Sequence, residues 1–89
     1  MQAILNLDEL RQFNGSLGMI CGQLRERKDH INAEFKSLHE VWRDGNYRNF
    51  EETFTSAIAE IDRFLSYAEM YGDYLNRKAV AADQYLHRR

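Results

Sequence analysis

His30, His39 and His87, together with Cys21 and the acids spread along the chain, are the side chains from which a metal site or a nucleophilic centre would have to be built. Metal centres in helical proteins draw several ligands from facing helices, commonly through paired Glu-x-x-His elements. No Glu-x-x-His occurs in this sequence. His30 follows Glu26 by four residues, and His39 and His87 stand far from that pair. A solvated or helix-pairing role is therefore the expectation for all three histidines. Cys21 has no neighbour that would activate a thiolate, and it reads as a small buried hydrophobe, with an intermolecular disulfide as the second reading. There is no glycine-rich phosphate loop between a strand and a helix, and no serine or cysteine nucleophile motif. The sequence thus offers no catalytic residue, no cofactor-binding residue and no metal ligand, and an enzyme is the least supported class.

Charge and hydropathy narrow the remaining classes. A formal charge of −2 and a pI near 5.9 leave no basic excess to neutralise a phosphate backbone, so nucleic acid is not an expected partner. No apolar run reaches the roughly 18 residues a membrane span requires. Asp8, Glu9 and Arg11 interrupt the stretch where a Sec signal would need its apolar core. One cysteine cannot close an internal disulfide.

The elements that must position any working surface are helices. The chain lacks proline and is rich in strong helix formers. Leu10, Leu17, Leu24, Ile31 and Leu38 recur at intervals of seven, with Phe13 and Ile20 as the second seam position of the first two heptads. The adjacent column of Cys21, Lys28, Phe35 and Trp42 then widens or shifts that seam, as a nearly straight helix drifts against a seven-residue repeat. Helix one is placed at about 8–41, with Asp8 and Glu9 favouring its N-terminus and Arg43 just past its end. Gly15, Gly18 and Gly22 predict a weakened or bent first third.

Asp44, Gly45 and Asn46 are turn formers, and the bend is expected at about 43–46 with Gly45 in the left-handed conformation. Helix two follows at about 47–87, with Glu51 and Glu52 early and Arg77, Lys78, Arg88 and Arg89 late, in the sense the helix dipole favours. It carries three apolar columns: Phe54, Ile61, Ala68, Leu75 and Ala82; Ile58, Leu65, Gly72, Ala79 and Leu86; and Ala57, Phe64, Tyr71 and Tyr85, the last interrupted by Lys78. One antiparallel neighbour cannot cover so wide a stripe, which predicts a second molecule against helix two. The expectation is an all-α, single-domain antiparallel two-helix hairpin over 1–89 that dimerises into a four-helix bundle, a rod roughly 50 to 60 Å long by helix rise. Its core and dimer seam are assigned to Leu17, Leu24, Ile31 and Leu38 on helix one and Phe54, Ile61, Leu65 and Leu75 on helix two. The charged runs Arg25 to Asp29 and Arg48 to Glu52 read as solvated faces with i,i+4 pairing.

Trp42-Arg43-Asp44-Gly45, set between two long amphipathic helices, resembles the Trp-x-Gly turn of the WXG-hundred (ESAT-like) family of small helical hairpins linked to type VII secretion. The resemblance covers most of the chain: Leu38 and Trp42 before the bend and Tyr47, Phe50 and Phe54 after it stand where that family places apolar residues. The turn here is one residue longer, Trp-x-x-Gly. The family's Tyr-x-x-x-Asp/Glu export element after helix two is missing; only Tyr47 and Glu51 have that spacing, inside the start of helix two. The resemblance then implies that the signal comes from a partner, differs in this lineage or is not used.

What the resemblance implies is a type VII secretion substrate or co-secreted partner, exported without a signal peptide, that acts through helix–helix protein binding. Its partners would be a second copy or a related helical hairpin, and a secretion ATPase. Trp42, Asp44 and Gly45 would form the turn motif and recognition site. Trp42 is expected to lean on the start of helix two near Tyr47 and Phe50 with one edge accessible, and a plain hydrophobic plug is the competing role for it. The alternative function is an intracellular helical adaptor or secretion chaperone that stays in the cytoplasm.

Overall fold

The computed structural model describes residues 6–86, so His87, Arg88 and Arg89 lie outside the described residues. The chain folds as two antiparallel helices, α1 (Leu7–Leu38) and α2 (Gly45–Leu86), packed along each other as an all-α hairpin. Its extents are 69 × 24 × 15 Å. The rod exceeds the expected length because α2 runs for 42 residues.

α1 starts where the sequence places it. Asn6 is extended, and its side-chain oxygen accepts the Glu9 backbone N–H at 3.1 Å, while Asp8 and Glu9 occupy the positive end of the helix dipole. The helix ends at Leu38, before the expected Val41. Its last carbonyls are taken up by a tightened turn in which the Leu38 carbonyl accepts both the Val41 and the Trp42 N–H at 3.0 Å. The glycines do not break α1, which is continuous through Gly15, Gly18 and Gly22.

Two expectations at the bend are corrected. Gly45 is not left-handed: no described residue has a positive φ, and Gly45 is the first residue of α2. The reversal is spread over His39 to Asp44, so no single residue has to carry it. The first turn of α2 also holds no acid, because the helix starts two residues before the expected Tyr47 and leaves Glu51 and Glu52 in its second turn; Arg77 and Lys78 lie in its last third, and Arg88 and Arg89 are outside the described residues. Asp44 supplies the negative charge instead, its carboxylate accepting the Asn46 N–H at 2.9 Å in the manner of an N-cap.

The packing seam follows the Leu10 to Leu38 column, but its second column is Leu7, Asn14, Cys21, Lys28 and Phe35 along the whole helix, continued by Trp42 in the bend. Each of these is buried or half-buried. Phe13 and Ile20, expected there, are 58% and 55% exposed. They flank the leucines on the far side, and one column on each side cannot both face a single neighbour. On α2 the first two apolar columns face α1 and the third does not. The tightest packing is at mid-rod, where Cys21, Leu65 and Ala68 are buried and Leu17, Leu24 and Ile61 close over them. Cys21 is a free, buried thiol.

Candidate interaction surface

Three features set the surface of the hairpin: the aromatic cluster at the bend, the polar edge of the seam and the apolar edge opposite it.

The bend is held by rings. Phe35, half-buried on α1, stacks on Phe54 (centroids 4.3 Å apart) and lies parallel to Tyr47 (5.6 Å), with Phe50 at 5.7 Å. Trp42 meets Tyr47 edge-on at 5.5 Å and Phe50 at 5.7 Å, so it leans on the start of α2 as the sequence predicts. Its ring is half-buried. Its indole N–H donates to the Asp44 carboxylate at 2.6 Å, the same oxygen that caps α2. Asp44 therefore fixes the orientation of Trp42 and starts the second helix with one atom. Tyr47 is buried beneath this cluster, and desolvation raises its phenol pKa, with the Glu51 charge adding to the shift. His39 packs on the same ring at 5.3 Å.

Along one edge of the seam the helices are joined by charge. Arg11 pairs with Asp83 (3.6 Å), Arg25 with Glu69 (3.5 Å) and Lys28 with Asp62 (2.7 Å). The run Arg25 to Asp29 thus sends two of its cations across to α2, where pairing within one helix was expected. Lys28 is the seam's own charge, its side chain 17% exposed. The hydrogen bond to Asp62 raises its pKa, outweighing the desolvation that pulls it down. Asn14, the other polar seam residue, donates to the Gly72 carbonyl at 3.2 Å. Both polar residues occur at seam positions where an unmatched group would be costly, and their partners fix the register of the two helices.

The opposite edge is apolar and open. Phe13 and Ile20 on α1, Val41 in the bend and Phe64, Tyr71 and Tyr85 on α2 are all exposed, between 48% and 79%. A groove of about 350 Å³ near the bend, lined by Ile31, Glu34, Phe35, Leu38, Phe50 and Phe54, belongs to it. Beyond this edge Tyr67 and Tyr74 extend the stripe further around α2, at 54% and 49% exposure.

Of the seam residues read from the sequence, Leu65 is buried and Leu17, Leu24, Leu38, Phe54, Ile61 and Leu75 are half-buried between the helices. Ile31 is 45% exposed, because it turns toward the open groove. Trp42 and Asp44 are in direct contact, whereas Gly45 only opens α2 and touches nothing with its α-carbon face. Sequence reasoning missed Phe35 as the hub of the bend and Asn14 and Lys28 as pins of the seam. The signal was a column of six residues at intervals of seven, of which the sequence analysis reads Cys21, Lys28, Phe35 and Trp42 but not the extension through Asn14 to Leu7.

His30 lies 3.6 Å from Glu34, one turn after it, and not against Glu26. Among the described residues no group of three His, Cys, Asp or Glu side chains could hold a metal ion, and no helix is long and apolar enough to cross a membrane. Comparison with protein-family models, curated proteins and solved structures found no match.

Proposed function

We propose that this hairpin works by binding other protein helices, as a WXG-like type VII secretion substrate or co-secreted partner. In this reading it associates with a second helical hairpin into a four-helix bundle, is recognised by a secretion ATPase and leaves the cell by a signal-peptide-independent route. The observation that supports it is the bend: Trp42 is clamped by Tyr47, Phe50 and Asp44 yet keeps part of its ring accessible. An aromatic surface rigidly presented at the end of a rod loses little entropy on docking and has both an apolar face and a polar tip.

The Trp42→Phe variant tests this reading. Phenylalanine keeps the contacts with Tyr47 and Phe50 and loses the indole donor to Asp44, so helicity and melting temperature should hold to within about 4–8 °C, the shift that about 1 kcal/mol produces in a domain of this size. Export into culture supernatant should be lost. Export at the parental level would overturn the recognition role of Trp42.

One observation favours the alternative of a cytoplasmic helical adaptor or chaperone. Tyr47 and Glu51, the single pair with the spacing of the family's export element, are not displayed as a free signal, since Tyr47 is buried under the bend. Retention of the chain in cells with an intact secretion machine, together with capture of helical clients, would decide for the adaptor.

A further inference from the structure

The exposed face of α2 carries a second heptad pattern beside the one that packs on α1. Phe64, Tyr67, Tyr71 and Tyr74 follow one another at alternating steps of three and four, the spacing of a coiled-coil seam, and all four are about half exposed. This second seam continues outward through two charged positions, Glu60 before the aromatics and Lys78 after them, and then through Ala57 and Ala81. All of these are exposed, and it lies on the far side of α2 from the polar edge closed by Arg11–Asp83, Arg25–Glu69 and Lys28–Asp62.

We propose that the occupant is a second copy of this chain, with its α2 antiparallel to the first about a two-fold axis level with residue 69. That placement sets Phe64 against Tyr74 of the second copy, Tyr67 against Tyr71, Ala57 against Ala81 and Glu60 against Lys78, each pair occurring twice by symmetry. Within one hairpin Glu60 pairs with Arg63 one turn on at 2.5 Å, and in this register it also meets Lys78 of the second copy, so the charges that interrupt the seam face opposite charges. A slide of one heptad in either direction brings Glu60 against Tyr71 or Lys78 against Tyr67, and a parallel pairing brings Glu60 against Glu60 and Lys78 against Lys78. Only one register satisfies every position. Half-exposed aromatic side chains each have about 100 Å² left to bury. Eight of them with the flanking alanines and Tyr85 approach the roughly 1,200 Å² at which specific interfaces begin. The inference rests on the helix-binding part of the reading above and commits it to a homodimer of defined register.

Cysteine pairing reads the register directly. In a Cys21→Ala background, the double variant Glu60→Cys with Lys78→Cys should oxidise to a covalent dimer on a non-reducing gel. Each single variant should not, because in this register like positions lie about 27 Å apart by helix rise. Glu60→Lys alone and Lys78→Glu alone should each weaken the dimer about three- to tenfold in sedimentation equilibrium, and the two together should restore it. Both positions are exposed, so circular dichroism should show unchanged helicity throughout. A chain that stays monomeric at 100-micromolar order, or a double-cysteine variant that stays reduced or cross-links no better than the singles, overturns the proposal. Loss of export in Trp42→Phe alongside that failure would leave the secretion reading standing with a different hairpin as partner.

Discussion

Asn14 and Gly72 meet across the hairpin through the asparagine amide. Its nitrogen donates to the Gly72 carbonyl at 3.2 Å, and its oxygen lies 3.3 Å from the point a β-carbon on Gly72 would occupy. A glycine in mid-helix costs about 1 kcal/mol relative to alanine, and here a β-carbon would crowd the asparagine oxygen, which would have to give way by a few tenths of an ångström. Gly15, Gly18 and Gly22 have no such neighbour; a β-carbon at each would meet nothing within 4 Å.

The two kinds of glycine should therefore respond oppositely to alanine. Gly18→Ala should raise the unfolding free energy by up to about 1 kcal/mol. Gly72→Ala should gain nothing or lose stability, since displacing the amide forfeits a hydrogen bond with a net value of about 1 kcal/mol. In an Asn14→Ala background the penalty should vanish and Gly72→Ala should become stabilising. Urea unfolding of the four variants measures the coupling, and additivity of the two substitutions would contradict it.

The start of α2 gives a second pair of opposite effects. Gly45 has negative φ and open space around its α-carbon, so Gly45→Ala should stabilise the hairpin by about 0.4–1 kcal/mol, through lower entropy of the unfolded chain. Asp44→Ala removes the acceptor for the Asn46 N–H and the Trp42 indole together and should cost about 1–2 kcal/mol. Thermal melts with tryptophan fluorescence distinguish them: the emission maximum should move in Asp44→Ala alone, because only there is the indole released.

Much of this fold was legible because its main signals are local. The leucines at intervals of seven define α1, and Asp44-Gly45-Asn46 marks the bend, whatever the chain does elsewhere. The misread features are those whose meaning lies on the other helix. Asn14 looks like a break in an apolar column until Gly72 stands opposite it, and without the column's first two members Phe13 and Ile20 look like the natural seam of the first heptads; Lys28 sits in the column but shows its role only with Asp62 opposite. The end of α1 was overshot for a related reason: Trp42 continues the apolar pattern past Leu38, because a turn residue can fill the aromatic cluster as well as a helical one. The left-handed glycine failed on a local ambiguity, since Asp-Gly serves equally as a turn and as a cap followed by the first helical residue.

Lys28 and Tyr47 together predict how the hairpin fails in alkali. Both have pKa values above their ordinary ones, Lys28 through its hydrogen bond to Asp62 and Tyr47 through burial. In each case the folded chain holds the proton more tightly than the unfolded chain does. Their contribution is fully present below the unfolded values, about 10.4 for lysine and 10 for tyrosine, and is lost as pH rises through the folded ones. For these two groups stability should be flat from neutrality to about pH 9.5 and decline above pH 10. Two substitutions separate the sources. Tyr47→Phe keeps the ring against Phe35 and removes the phenol, so the alkaline decline should begin later and be shallower. Lys28→Met keeps the aliphatic length in the seam and removes the ammonium, so the remaining decline should follow the tyrosine alone. Chemical denaturation at intervals from pH 8 to 11, with phenolate absorbance recorded in parallel, resolves the two; a profile that is the same in both variants as in the parent would show that neither group is linked to folding.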